Sequence, residues 1–133
     1  MSGIRIEIGA GELWDRLTIL EIKLAHAVSA EQGLRIEREL AVLKDARDAL
    51  DLGGGGYATE VAELRAVNRA LWITEDELRV CEARGEFGDR FIALARSVYR
   101  QNDHRARLKR RIDERHGSAF WEEKIYAPDA RHS

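Results

Sequence analysis

A single proline in 133 residues, Pro128, sets the range of folds open to this chain. Proline removes a backbone donor and clashes with the preceding helical turn, so the stretch ahead of it is free to be helical nearly throughout. Glycine supplies the punctuation. Gly53-Gly54-Gly55-Gly56 breaks any helix, because four glycines lose too much backbone entropy to hold one. No Lys with Ser/Thr follows at phosphate-loop spacing, so the run reads as a flexible connection. Gly85-Glu86-Phe87-Gly88 is a tight turn, and Gly117 is a C-cap.

Between these breaks, apolar periodicity predicts helices at about 11–28, 30–52, 60–84 and 90–116. Ser29-Ala30-Glu31-Gln32 has the form of a capping box that starts the second, directly after the first. Thr59 and Asp89 are the predicted N-caps of the third and fourth. The last two are long and joined by a short loop, which predicts an antiparallel hairpin. The expected fold is all-α: one domain over residues 1–133, an antiparallel bundle of about four helices in two hairpins. Short extended segments flank it. Ile4-Arg5-Ile6-Glu7-Ile8 alternates as a strand does. The tail, 118–133, carries Phe120, Trp121, Ile125 and Tyr126 and is expected to pack back, against that strand, or to be partly disordered.

Composition narrows the class. With 44% hydrophobic and 35% charged residues the chain is globular and neither disordered nor membrane-spanning. One cysteine, Cys81, forbids an intrachain disulfide, and no signal-peptide pattern opens the chain, so cytoplasm is the expected compartment. A net charge of −2 attracts neither nucleic acid nor membrane. Residues 90–116 nevertheless hold nine Arg/Lys against three Asp/Glu. Charge complementing a helix C-terminus accounts for that, and no aromatic stacking platform accompanies it. The four histidines have no metal-ligand spacing, and Cys81 reads as packing.

The candidate site lies where polar residues interrupt apolar faces. In the third helix Leu64, Leu71 and Leu78 form one core column, while its partner column runs Val61, Asn68, Glu75, Glu82. Trp72 and Arg79 lie in the same arc. In the fourth, Gln101, Asn102, Arg105 and Lys109 fall within the stripe of Phe91, Leu94, Val98, Leu108 and Ile112. An antiparallel hairpin places Asn68 level with Arg105, Trp72 near Asn102, and Glu75 within a turn of it. The two interruptions coincide. In the first helix Glu21 falls inside the apolar arc beside Thr18, whereas Glu12 and Asp15 project to the more exposed side. A buried carboxylate needs a partner or it protonates, and Arg79, Arg105, Lys109 or a metal ion would serve. A second apolar stripe, Ala66, Ile73 and Val80, fits a homodimer contact.

Several stretches resemble a family of short uncharacterised bacterial proteins. They are Gly11-Glu12-Leu13-Trp14-Asp15-Arg16-Leu17-Thr18-Ile19-Leu20-Glu21-Ile22-Lys23, Val67-Asn68-Arg69-Ala70-Leu71-Trp72 with Glu75-Asp76, Ala95 through Asp103, Leu108-Lys109, and Glu122-Glu123-Lys124. The resemblance spans nearly the whole chain. It implies a setting beside glycosyltransferases and surface-polysaccharide genes, and it brings no activity. The chain departs from the pattern before the first helix, where Gly9-Ala10-Gly11 stands in place of an expected Ser or Pro, so that helix's cap stays open.

Three readings follow. In the first, an accessory protein binds a small anion such as a sugar nucleotide or phosphate. Arg105 and Lys109 meet the charge, Trp72 stacks, and Asn68, Glu75 and Asn102 orient the ligand. In the second, a Mg²⁺-dependent hydrolase similar to the all-α nucleotide pyrophosphohydrolases uses Glu21, Glu75, Glu82 and Asp103 as metal ligands. The paired acidic signature of those enzymes is absent; Glu12-Leu13-Trp14-Asp15 matches half of it. In the third, the polar layer only specifies packing, as buried Glu–Arg and Asn networks do in ordinary bundles.

Overall fold

The computed structural model describes residues 3–49 and 56–117. Four helices account for most of them: α1 (Ala10–Ala25), α2 (Ala30–Ala49), α3 (Ala58–Arg84) and α4 (Asp89–His116). This is the expected helical bundle of two hairpins. The glycine run up to Gly55 and the tail from Ser118 lie outside the described residues.

Local chemistry explains most boundaries. The capping box forms at the start of α2: Gln32 N–H donates to Ser29 Oγ (3.1 Å), and Gln32 Oε1 accepts from Val28 N–H (2.9 Å). Gly85 and Gly117 close α3 and α4 in the left-handed conformation, at φ 67° and 78°. α1 ends three residues earlier than expected, and His26 caps it with backbone bonds to Leu24 and Lys23 carbonyls. α3 and α4 begin at Ala58 and Asp89, behind Tyr57 and Gly88, so Thr59 and Asp89 lie inside their helices and make no side-chain cap. No strand forms at Ile4–Ile8. That segment has no ladder partner among the described residues, and Ile4 is 91% exposed.

The four helices are not equivalent. The backbone of α1 approaches all three others, while α2 approaches α1 alone. Nine of the 16 residues of α1 are buried, which makes it a central helix with almost no outer face. Leu13, Trp14, Leu17 and Leu20 of α1, Leu40 of α2, Val61, Leu64 and Val67 of α3, and Leu108 and Ile112 of α4 form one core. α3 and α4 are longer than α1, at 27 and 28 residues against 16, and pair most extensively with each other. Toward their connecting loop Cys81 is fully buried, while Ile73, Val80, Ile92 and Tyr99 are exposed. No helix among the described residues is long and apolar enough to cross a membrane.

Candidate functional site

Two polar regions flank α1. The first is a closed node where α1, α3 and α4 meet, and its centre is Asp15. The sequence places Asp15 on the exposed side of α1; the structure buries it, at 1% exposure. Its Oδ1 accepts from Asn68 Nδ2 (3.0 Å) and Arg105 Nε (2.8 Å). Its Oδ2 accepts a second guanidinium bond from Arg105 Nη2, so the Arg105 fork grips both oxygens. Asn68 also donates to Thr18 Oγ1 (2.9 Å), and that hydroxyl donates to the Asp15 carbonyl (3.0 Å). Asn102 Oδ1 accepts from Arg105 Nη1 at 3.4 Å.

Lys109 extends the node toward the start of α1. Its ammonium is buried, 2.7 Å from Glu12 Oε2 and 3.8 Å from Asp15 Oδ2. Burial raises the Glu12 pKa, but hydrogen bonds and charge from Lys109 and Arg16 outweigh it and leave the carboxyl below its usual value. One turn on, Asp113 Oδ1 accepts the Gly11 N–H at 2.7 Å. This answers the open question of the α1 cap. Gly9 offers no side chain, so a carboxylate from α4 satisfies the first-turn amide and meets the positive end of the helix dipole. Gly11 is required there, because a Cβ would collide with the Lys109 carbonyl of α4.

The second region is an open cleft around Trp72. His26, at the end of α1, packs its ring on Trp72 with centroids 4.9 Å apart. The His26 Nδ1–H donates to the Ile22 carbonyl (2.8 Å), which fixes the ring's orientation and leaves Nε2 for other partners. Two cavities open on either side of this pair. One, of about 220 Å³, lies between Glu21, Ile22 and Ala25 of α1 and Arg65, Arg69 and Ile73 of α3. The other, of about 530 Å³, lies between Lys23 of α1 and Gln32, Arg35, Ile36 and Glu39 of α2. His26 and Trp72 line both. Four cations, Lys23, Arg35, Arg65 and Arg69, face two carboxylates, Glu21 and Glu39, so the walls carry a surplus of two positive charges. Arg65 is joined to Glu21 through Nε at 3.0 Å, and Arg35 to Glu31 at 3.0 Å on the exposed face of α2.

The predicted site residues divide between these regions and the outer hairpin. Asn68, Asn102, Arg105 and Lys109 come together around Asp15, at the level the hairpin register predicts. Trp72 belongs to the cleft, as does Glu21. Glu75 and Glu82 sit exposed on α3 beyond the reach of α1, and Asp103 is half-buried on α4. The four acids of the metal reading are therefore spread over three places, and no group of three His, Cys, Asp or Glu side chains converges among the described residues. Sequence reasoning missed Asp15, Glu12, Asp113 and the cations of the cleft. The run Glu12-Leu13-Trp14-Asp15 was the available signal: two acids flanking a Leu-Trp pair at the start of a short helix.

Residues 4–131 match the model of DUF6165, a family of unknown function, and the chain belongs to that family. No curated protein and no solved structure matches it.

Proposed function

We propose that this member of a family of unknown function is a small-ligand-binding accessory protein whose site is the cationic cleft at Trp72. One observation carries the reading: an aromatic pair, Trp72 and His26, lies between two cavities whose walls hold a surplus of positive charge, in a chain whose net charge is −2. Ligand pockets are typically about 300–1,000 Å³, with apolar or aromatic walls and a few placed polar groups. The larger cavity has that size. An aromatic face suits a flat ring or the apolar face of a sugar, and guanidinium and ammonium groups suit phosphate.

This assignment moves the anion contact predicted for Arg105 and Lys109. Both bind carboxylates of α1, and an anion arriving there would have to displace Asp15 or Glu12. Arg65, Arg69, Lys23 and Arg35 take that role in the cleft, while Trp72 keeps its predicted stacking role. The setting beside glycosyltransferases that the resemblance implies directs the choice of ligand toward sugar nucleotides.

The test is the melting temperature of the full chain against inorganic phosphate, pyrophosphate, UDP-glucose and Mg²⁺. A ligand at about 100 times its Kd adds roughly 2.7 kcal/mol, several degrees for a domain of this size. The expected result is a rise with a phosphate-bearing ligand that needs no metal and is lost in Arg69→Ala. A melt that no anion moves overturns the reading and leaves the polar residues as architecture.

A further inference from the structure

Building on the cleft reading, we propose that the two cavities are halves of one elongated site, and that Trp72 donates its indole N–H to a ligand lying across both. The ligand class is a diphosphate-linked molecule carrying a neutral ring, long enough to reach cations on either side of the aromatic pair.

The two cavities adjoin at one wall. They share two side chains, Trp72 and His26, and nothing else. His26 is the residue that ends α1, and its ring rests on that of Trp72 in α3.

Trp72 Nε1 is shut off from solvent and has no partner among the described residues. Leaving a buried donor unpaired costs free energy that any acceptor recovers. Trp14 Nε1 is also unpaired, but Trp14 is a core side chain whose ring is held by Leu-rich packing and by Arg47 above it. Trp72 differs in lining open volume on two sides. A phosphate or sugar oxygen placed across the pair supplies the acceptor when the indole turns, so the orientation seen here is the one from which binding releases an unfavourable state.

Each half holds two cations: Lys23 and Arg35 in one, Arg65 and Arg69 in the other. Arg35 is engaged only in an exposed i,i+4 pair with Glu31, of the kind that exchanges readily for a better anion. A single phosphate satisfies one half. A ligand with charge and polar oxygens along its length satisfies both.

Calorimetric titration of the full chain with UDP-glucose and, separately, inorganic phosphate tests this. The expected result is one UDP-glucose per chain, weakened about tenfold or more by Arg35→Ala and by Arg69→Ala alike, as loss of one charged contact predicts. Trp72→Phe keeps an aromatic face and removes the N–H. It should weaken UDP-glucose about tenfold while leaving the melting temperature of the free protein unchanged or higher, because a buried unpaired donor is gone. Inorganic phosphate should lose less to Trp72→Phe than UDP-glucose does. UDP-glucose binding that responds to only one of the two arginine variants overturns the joined site. Full affinity in Trp72→Phe overturns the N–H contact. Either result leaves the anion cleft standing, whereas no binding by any phosphate compound overturns the cleft and this inference together.

Discussion

The Asp15 node and the Trp72 cleft are made of the same materials, arginines and carboxylates set into apolar helix faces, and they end in opposite states. In the node every charge is answered. Asp15 receives the Arg105 fork and Asn68, Lys109 lies against Glu12, and Asp113 holds the first turn of α1. In the cleft cations outnumber acids, and an aromatic pair stands between two open volumes. A saturated network specifies packing; the surplus charge of the cleft is what the proposed ligand would answer. Both lie along α1, within about three turns of each other, so the short central helix ties the architecture to the proposed site.

The largest expected effect separates the two directly. Asp15→Ala removes the carboxylate shared by Arg105 and Asn68 and breaks the two-oxygen grip of the guanidinium at the junction. Breaking a buried pair in this way costs about 3–5 kcal/mol. Glu21→Ala in the cleft, where Glu21 and Arg65 are each about a third exposed, should cost about 0–1 kcal/mol. Urea unfolding of the two variants measures both. Equal losses would erase the distinction between node and cleft.

How far the sequence reveals this division depends on what each residue needs around it. The helices are legible because punctuation is local: the Ser29 box, Gly85 and Gly117 act within a few residues of themselves. The hairpin register is legible too, and Asn68 and Arg105 do meet, on one oxygen of Asp15. Asp15 itself was not, because helix projection assigns one buried arc, and α1 is covered from three directions. A polar residue outside the apolar stripe of such a helix is still inside the protein. Glu75 and Glu82 fail in the reverse sense. They continue the column of Val61 and Asn68, but the column outlasts α1, which ends at Ala25. The periodicity was right and the cover was missing. The Asp113 cap joins residues 102 apart in sequence, and no local motif announces it.

A smaller effect sharpens the node from its partly exposed edge. Glu12 has a folded pKa below its unfolded one, held there against burial by Lys109 and Arg16. Its stabilising contribution is therefore fully present above the ordinary glutamate value and is lost as pH falls through the lowered, folded value. Glu12→Gln should be less stable than the parent at neutral pH, and the two should converge in acid once the parent's Glu12 is protonated. Unfolding curves at stepwise lower pH test this. A difference that persists unchanged into acid would mean that Glu12 acts through shape and not through its charge.

The smallest effect is expected at Glu75. Its position in the core column of α3 makes it look like a member of the node, and if it were one, Glu75→Leu would strand its partners at a cost of more than about 2 kcal/mol. In the structure Glu75 is exposed on α3. Surface substitutions of this kind usually fall within about ±0.5 kcal/mol. The same variant should leave the response to UDP-glucose untouched, since Glu75 lines neither cavity at Trp72. A near-zero change in both stability and binding would set the outer hairpin apart from node and cleft alike. A large loss of stability would mean that another surface covers Glu75 in solution. Loss of ligand response alone would extend the cleft up the α3 column.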